Sequence, residues 1–241
     1  KRIVNSMSEI ELKKIFLTGG TGMVGRNILE SQLASEYEIV APRRCELDLF
    51  NKSAVFEFIK ESKPDLIIHA AGKVGGIKAN LGNSFAYYSE NLSIGNNVLL
   101  SAAELGVKNL LNLGSSCIYP RDISRPIKES DLLSGHLEPT NEGYALAKIA
   151  VAKLGEYITQ AEPNLKYRTI IPCNLYGDFD KFDPKLAHMI PAVIMRINEA
   201  KQKNINVQMW GSGSARREFM HVSDFTDFIN YLIPNFQSLP N

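Results

Sequence analysis

The chain has 241 residues, 44% of them hydrophobic, with 27 Lys and Arg against 26 Asp and Glu for a formal net charge of +1. That length and apolar fraction can bury a sizeable core, and the near balance of charge gives no electrostatic reason to expect nucleic acid or an anionic membrane as partner. Three cysteines, Cys45, Cys117 and Cys173, are odd in number and lack metal-ligand spacing, which argues against a secreted disulfide framework or a zinc site. No signal peptide or apolar span stands out, so a cytoplasmic location is expected; residues 1–6, ahead of Met7, read as an added leader or a native extension.

The first predicted strand, Ile15, Phe16, Leu17, leads into Thr18, Gly19, Gly20, Thr21, Gly22, Met23, Val24, Gly25 and a helix over 26–33. Gly19 permits the tight turn, Gly22 lets backbone amides approach a pyrophosphate, and Gly25 lets the helix close on the strand. The whole turn, Met23 and Val24 included, is therefore assigned to dinucleotide binding. The second strand, 38–41, is followed by Arg43 and Arg44 where an NAD-specific fold would present an acidic residue. Two guanidinium groups match a 2′-phosphate, so NADP(H) is the expected cofactor, with either arginine able to serve.

A third strand, 66–68, ends at His69, Ala70, Ala71 and Gly72, and a fourth, 110–113, ends at Gly114 and Ser115. Both finish at the cofactor edge, with 69–72 passing beneath its phosphates or ribose. Between them 83–106 has helical periodicity. After Ser116 and Cys117 the chain passes Pro120, Pro126 and Pro139 before a helix that Thr140 or Asn141 can cap. On that helix Tyr144 and Lys148 stand four apart and share a face, so the ammonium can sit beside the phenol and draw its pKa from roughly 10 toward neutrality. A further strand, 167–171, precedes Pro172, Cys173, Asn174, Leu175, Tyr176 and Gly177. Alternating strands and helices predict an α/β fold, a doubly wound parallel sheet of Rossmann type, with its site outside the carboxyl ends of the strands.

Taken together the motifs resemble the extended short-chain dehydrogenase/reductases and, within them, the GDP-L-fucose synthase family. The resemblance runs from about residue 14 to the C-terminus and rests on TGGTGMVG, HAAGKVGGIKAN, LGSSCIYP, LEPTNEGYALAKIA, PCNLYG, HMIP and WGSGSARREFMHVSD. HAAGKVGGIKAN and SSCIYP are its narrower signals. It implies an NADPH-dependent enzyme that inverts C3 and C5 of GDP-4-keto-6-deoxy-D-mannose and then reduces the C4 ketone. In that reading Cys117 is the base and His188 the acid of epimerisation; Tyr144 protonates the C4 alkoxide, Ser115 hydrogen-bonds it, and Lys148 steadies the tyrosinate and grips the nicotinamide ribose. If the segment after Ser115 is extended, Cys117 projects to the same side as Ser115.

The same resemblance places Pro172, Asn174 and Leu175 at the nicotinamide pocket and Ser116 and Asn174 at the substrate. It divides the chain into an NADP-binding domain over 14–177 and a smaller substrate-binding part over 178–241, interleaved with it and shorter than in the family, whose chains run several dozen residues further. There Arg196, Arg216 and Arg217 offer donors to a diphosphate and Trp210 a flat partner to a guanine. Asp178, Asp180 and Asp183 read as a solvated loop. Gly143 is a weak helix former that would widen the sugar pocket. A homodimer is implied through helices 83–106 and the Tyr144 helix, with Leu92, Val98, Leu99, Ala150, Leu154 and Ile158 as outer-face candidates that core packing explains equally well. The alternatives are a related GDP-4-keto-heptose reductase or epimerase and, from another class, a non-catalytic NADP-binding regulator.

Overall fold

In the computed structural model the described residues are 12–184, 186–209, 212–214 and 216–239. Five parallel strands, β1 (Lys14–Thr18), β2 (Glu38–Val40), β3 (Leu66–His69), β4 (Asn109–Leu113) and β5 (Lys166–Ile170), form one sheet in the order β2-β1-β3-β4-β5. Their helices are α1 (Met23–Glu30), α2 (Leu33–Glu36), α3 (Lys52–Ser62), α4 (Ile77–Leu81), α5 (Ser84–Glu104), α6 (Glu142–Ala161), α7 (Met189–Lys203) and α8 (Val222–Leu232). A second, two-stranded parallel ribbon joins β6 (Asn174–Tyr176) to β7 (Phe219–His221).

The strands read as nearly unbroken apolar runs because both faces of the sheet are covered. Alternate side chains go to opposite cores. Ile15, Leu17, Leu66, Ile68, Leu111 and Leu113 meet Ile28, Leu33, Phe225 and Ile229, while Phe16, Ile67, Leu110 and Tyr167 meet Val55, Ile59, Val98, Leu99 and Val151. One core thus lies under α1, α2 and α8, the other under α3, α5 and α6. The C-terminal part of the chain therefore builds a layer of the cofactor sheet through α8.

Strand order reverses between β1 and β3, which opens a crevice at their carboxyl ends. Asn141 holds the N-cap position of α6, but neither its side chain nor that of Thr140 makes the capping bond; Asn141 Oδ1 is buried without a partner. Gly143 has a different task from widening a pocket. A Cβ there would sit 2.7 Å from the Ser84 carbonyl oxygen, so glycine lets the first turns of α5 and α6 touch.

Five of the six residues expected on the outer faces of α5 and α6 belong to the core instead, and Ala150 is half-buried. Val98 and Leu99 are fully buried, and Leu92, Leu154 and Ile158 pack against the same cluster. The apolar side chains that α5 and α6 do expose are Phe85, Tyr88, Leu100, Leu146 and Tyr157. Among the described residues no helix is long and apolar enough to cross a membrane.

Candidate active site

The glycine turn after β1 is built by close backbone approach. Gly19 has φ +76°, and a Cβ on it would lie 2.7 Å from the Ala71 amide nitrogen; one on Gly25 would lie 2.2 Å from the Gly19 carbonyl oxygen. Only glycine fits either position, and the contact brings the end of β1 against Ala70 and Ala71 after β3. Thr18 Oγ1 accepts the Ala71 N–H at 3.2 Å and lies 2.8 Å from His69 Nδ1. The Thr18–His69 bond runs in the direction that the imidazole tautomer sets. Burial first, and the Lys148 ammonium second, push His69 down to about 3, so the ring is neutral. Gly22 occupies the N-cap of α1 with no side-chain bond to the helix amides. A free helix N-terminus beside a glycine-rich turn fits a pyrophosphate. Val24 packs into the core behind it and Met23 is half-buried.

Sequence left Arg43 and Arg44 interchangeable; the structure separates them. Arg43 is tied to Glu46 through its guanidinium at 3.0 and 3.3 Å and through its backbone amide at 2.7 Å. Arg44 lies with its guanidinium 5.5 Å from the Phe50 ring centroid and forms no ion pair among the described residues.

At the end of β4, Ser115 is extended, but Ser116–Ile118 turn as a 3-10 helix, so the chain does not continue as a strand. That turn still returns Cys117 Sγ to 3.2 Å from Ser115 Oγ. Cys117 is held by a small apolar cluster of Ile118, Leu137, Ala145 and Ile149. Lys148 is 7% exposed; its Nζ donates to the Leu113 carbonyl at 2.8 Å and stands 5.9 Å from the Tyr144 ring centroid.

These groups tune one another. Burial pushes the Cys117 thiol up, opposed by its bond to Ser115 and by the Lys148 charge. Burial also pushes Lys148 down to about 8, opposed by Cys117. Tyr144 is raised above its ordinary value by burial and then by the charge of Cys117, with a hydrogen-bonding interaction from Ser115 pulling it back. The expectation that Lys148 draws the phenol toward neutrality is thus corrected. The ammonium is spent on the strand-end carbonyl of Leu113, and desolvation of the phenol dominates.

The remaining predicted residues are spread around this centre. Gly72 adjoins it, since a Cβ there would lie 3.7 Å from Lys148 Nζ. His188 is exposed at the N-cap of α7. Asn174 is exposed and donates to the Glu218 carbonyl at 2.9 Å, Leu175 packs into the core under α1, and Pro172 is half-buried. Ser116 is exposed, Arg196 is half-buried on α7, and Arg217 is exposed with a bond to the Arg216 carbonyl at 2.7 Å. Trp210 lies outside the described residues. Asp180 and Asp183 accept backbone amides of their own loop, and the Asp178 carbonyl accepts from Asn27 on α1. Two buried asparagines were not singled out from sequence. Asn91 takes Lys73 N–H at 2.9 Å, and Asn80 donates to the carbonyls of Gly75 and Gly76. Asn80 closes the HAAGKVGGIKAN motif, which was the signal available.

The family model described as the NAD dependent epimerase/dehydratase family matches residues 15–241. Over 228 residues the chain is 50% identical to GDP-L-colitose synthase of Yersinia pseudotuberculosis, covering 94% of this chain and 74% of that one. Over 218 residues it is 47% identical to GDP-L-fucose synthase of Azorhizobium caulinodans, covering 90% and 70%. A solved GDP-D-glycero-L-gluco-heptose synthase from Campylobacter jejuni, crystallised in the presence of NADPH, superposes with a TM-score of 0.83 at 29% identity, covering 94% of this chain and 75% of that one.

Proposed function

The chain belongs to the NAD-dependent epimerase/dehydratase family, and on that premise we propose that it converts GDP-4-keto-6-deoxy-D-mannose to GDP-L-fucose by inverting C3 and C5 and then reducing C4. At the coarser level it is an NADP-dependent oxidoreductase of the GDP-sugar epimerase/reductase kind. The observation that carries the finer reading is Ser115, which faces both the Cys117 thiol and the Tyr144 phenol. A carbonyl oxygen held at Ser115 has Cys117 and Tyr144, one proton carrier from each half-reaction, within reach.

A C4 ketone acidifies the hydrogens on C3 and C5, because the charge left by deprotonation rests on the carbonyl oxygen. Inversion needs one group to take a proton from one face of the ring and another to return one to the opposite face. Cys117 is the base and His188 the acid. Burial lifts the Cys117 thiol above its ordinary value against the opposing pull of Ser115 and Lys148, so a thiolate formed there is a strong base. Bound NADPH supplies the hydride for C4. Tyr144, kept protonated at neutral pH by its burial, gives its proton to the oxygen that becomes the C4 hydroxyl. Lys148 holds the nicotinamide ribose, the N-terminus of α1 the pyrophosphate, and Arg44, lacking the ion pair that engages Arg43, the 2′-phosphate. Ser116 and Asn174 contact the sugar, and Arg196 and Arg217 serve the GDP diphosphate. The exposed apolar residues of α5 and α6 form the homodimer face.

Turnover in D2O tests this. Deuterium is expected at C3 and C5 of the product, with hydrogen from NADPH at C4. NADPH oxidation with no deuterium at either carbon would remove the epimerase half. The 50% identity to a GDP-L-colitose synthase supports a second reading. Colitose carries no oxygen at C3, so inversion at C5 alone, together with preference for the 3-deoxy ketone in a side-by-side turnover assay, would favour it.

A further inference from the structure

The segment 72–76 touches both halves of the site. At one end a Cβ on Gly72 would lie 3.7 Å from Lys148 Nζ, and at the other a Cβ on Gly76 would lie 3.0 Å from the Ala187 carbonyl oxygen, one residue before His188. Each end has its own buried anchor. Asn91, 3% exposed, accepts Lys73 N–H at 2.9 Å and donates to the Lys73 carbonyl at 3.1 Å near the Lys148 end. Asn80, 5% exposed, donates through Nδ2 to the carbonyls of Gly75 at 2.8 Å and Gly76 at 3.2 Å. Two facing carbonyls fix which end of that amide carries the hydrogens. The Asn80 backbone N–H also reaches the Gly76 carbonyl at 3.2 Å, and Ser84 Oγ at the start of α5 donates to the Asn80 carbonyl at 3.1 Å. The Gly76 end is thereby referenced to α4 and α5, and the Ala187 carbonyl rests close enough that a Cβ there would press on it by a few tenths of an ångström.

We infer that Asn80 is a positioning residue for His188: by holding the Gly75 and Gly76 carbonyls it fixes the wall on which segment 187–188 seats, and so governs proton return to the sugar ring while leaving hydride transfer alone. This rests on His188 being the acid of the proposed reaction. The separation follows from the anchors. Lys148 is fixed by Leu113 and flanked by the Asn91 end, neither of which depends on the Asn80 amide.

The two steps are measured apart. Solvent deuterium entering C3 and C5 of the 4-keto sugar with inversion of those carbons reads proton exchange across the ring; oxidation of GDP-L-fucose by NADP+ reads hydride transfer, because hydride leaves C4 for the nicotinamide and the hydroxyl proton leaves for Tyr144 before any C–H bond at C3 or C5 is touched. In the full chain, Asn80→Ala is expected to lower exchange about tenfold or more, on the scale that misplacing a proton carrier by an ångström produces, with hydride transfer changed by less than about threefold. Gly76→Ala, which pushes directly on the Ala187 carbonyl, is expected to give the same split. Equal loss of both steps, or loss of neither, in variants whose melting temperature shows them folded overturns the inference. His188→Ala separates the two levels. If it keeps exchange intact, the assignment of His188 falls and the inference with it; if it abolishes exchange while Asn80→Ala and Gly76→Ala do not, only the inference falls.

Discussion

Lys148 and His69 are both buried bases whose proton affinity falls on folding, and each makes stability depend on pH in a defined window. For Lys148 the folded value is about 8 against an ordinary 10.5, so between these the unfolded chain binds a proton that the folded chain does not. The penalty for burying the ammonium is complete below pH 8 and is relieved as pH rises from 8 to 10.5. Lys148→Met is therefore expected to melt above the wild type at pH 7, with the difference shrinking across that interval in a series of thermal scans. For His69 the window lies between its ordinary 6.5 and its folded value of about 3. Stability is expected to fall by about 1.4 kcal/mol per pH unit as pH drops through it, from this group alone. In urea titrations His69→Asn should show a shallower decline over the same range. The sequence pointed to Tyr144 and Lys148 as neighbours on a helix face, which is correct as spacing. It gave no access to the direction of the ammonium, because its acceptor, the Leu113 carbonyl, is 35 residues away in the chain.

At the scale of elements, the apolar runs and the glycine turn were enough to place β1 to β5 and the helices α1, α5 and α6 within a few residues, while α3, α7 and α8 were not assigned from sequence. The faces of α5 and α6 were not readable. Both carry apolar residues around much of their circumference, so periodicity does not tell a core-facing leucine from an exposed one. Gly143 shows the same limit: its helix propensity is a local property, whereas its role is set by Ser84 on another helix. Gly143→Ala is expected to lower the melting temperature. The gain of up to about 1 kcal/mol from better helix propensity is outweighed by a backbone clash worth about 1–3 kcal/mol. A rise in melting temperature would show that α5 and α6 separate without penalty. The proline-containing stretch between Cys117 and α6, read from sequence only as a wandering connection, is pinned by Asp131, which takes the Arg125 guanidinium and the Lys128 amide.

For the whole molecule, the crevice at the carboxyl ends of β1 and β3 gathers the glycine turn, segment 69–72, Ser115, Cys117 and the α6 pair at one edge of the sheet. Helices α5 and α6 expose Phe85 at 81% and Tyr157 at 59%, and Tyr88 and Leu146 line one surface groove with Phe85. Charges introduced there, as in Phe85→Glu with Leu146→Glu, are expected to halve the mass found by sedimentation equilibrium while leaving the far-ultraviolet circular dichroism unchanged. A wild type that sediments as a monomer at micromolar concentration would remove the proposed homodimer. By itself the sequence determined the parallel sheet and the glycine turn and named the residues proposed to meet a ketone, because periodicity, glycine spacing and helical offset are local and survive without knowledge of distant partners. Only the tertiary structure decided which arginine is tied to Glu46, how Cys117 is turned toward Ser115, and that burial rather than Lys148 governs the Tyr144 proton. Proton affinity and pairing depend on desolvation and on groups brought together by folding, and neither is written in the order of the residues.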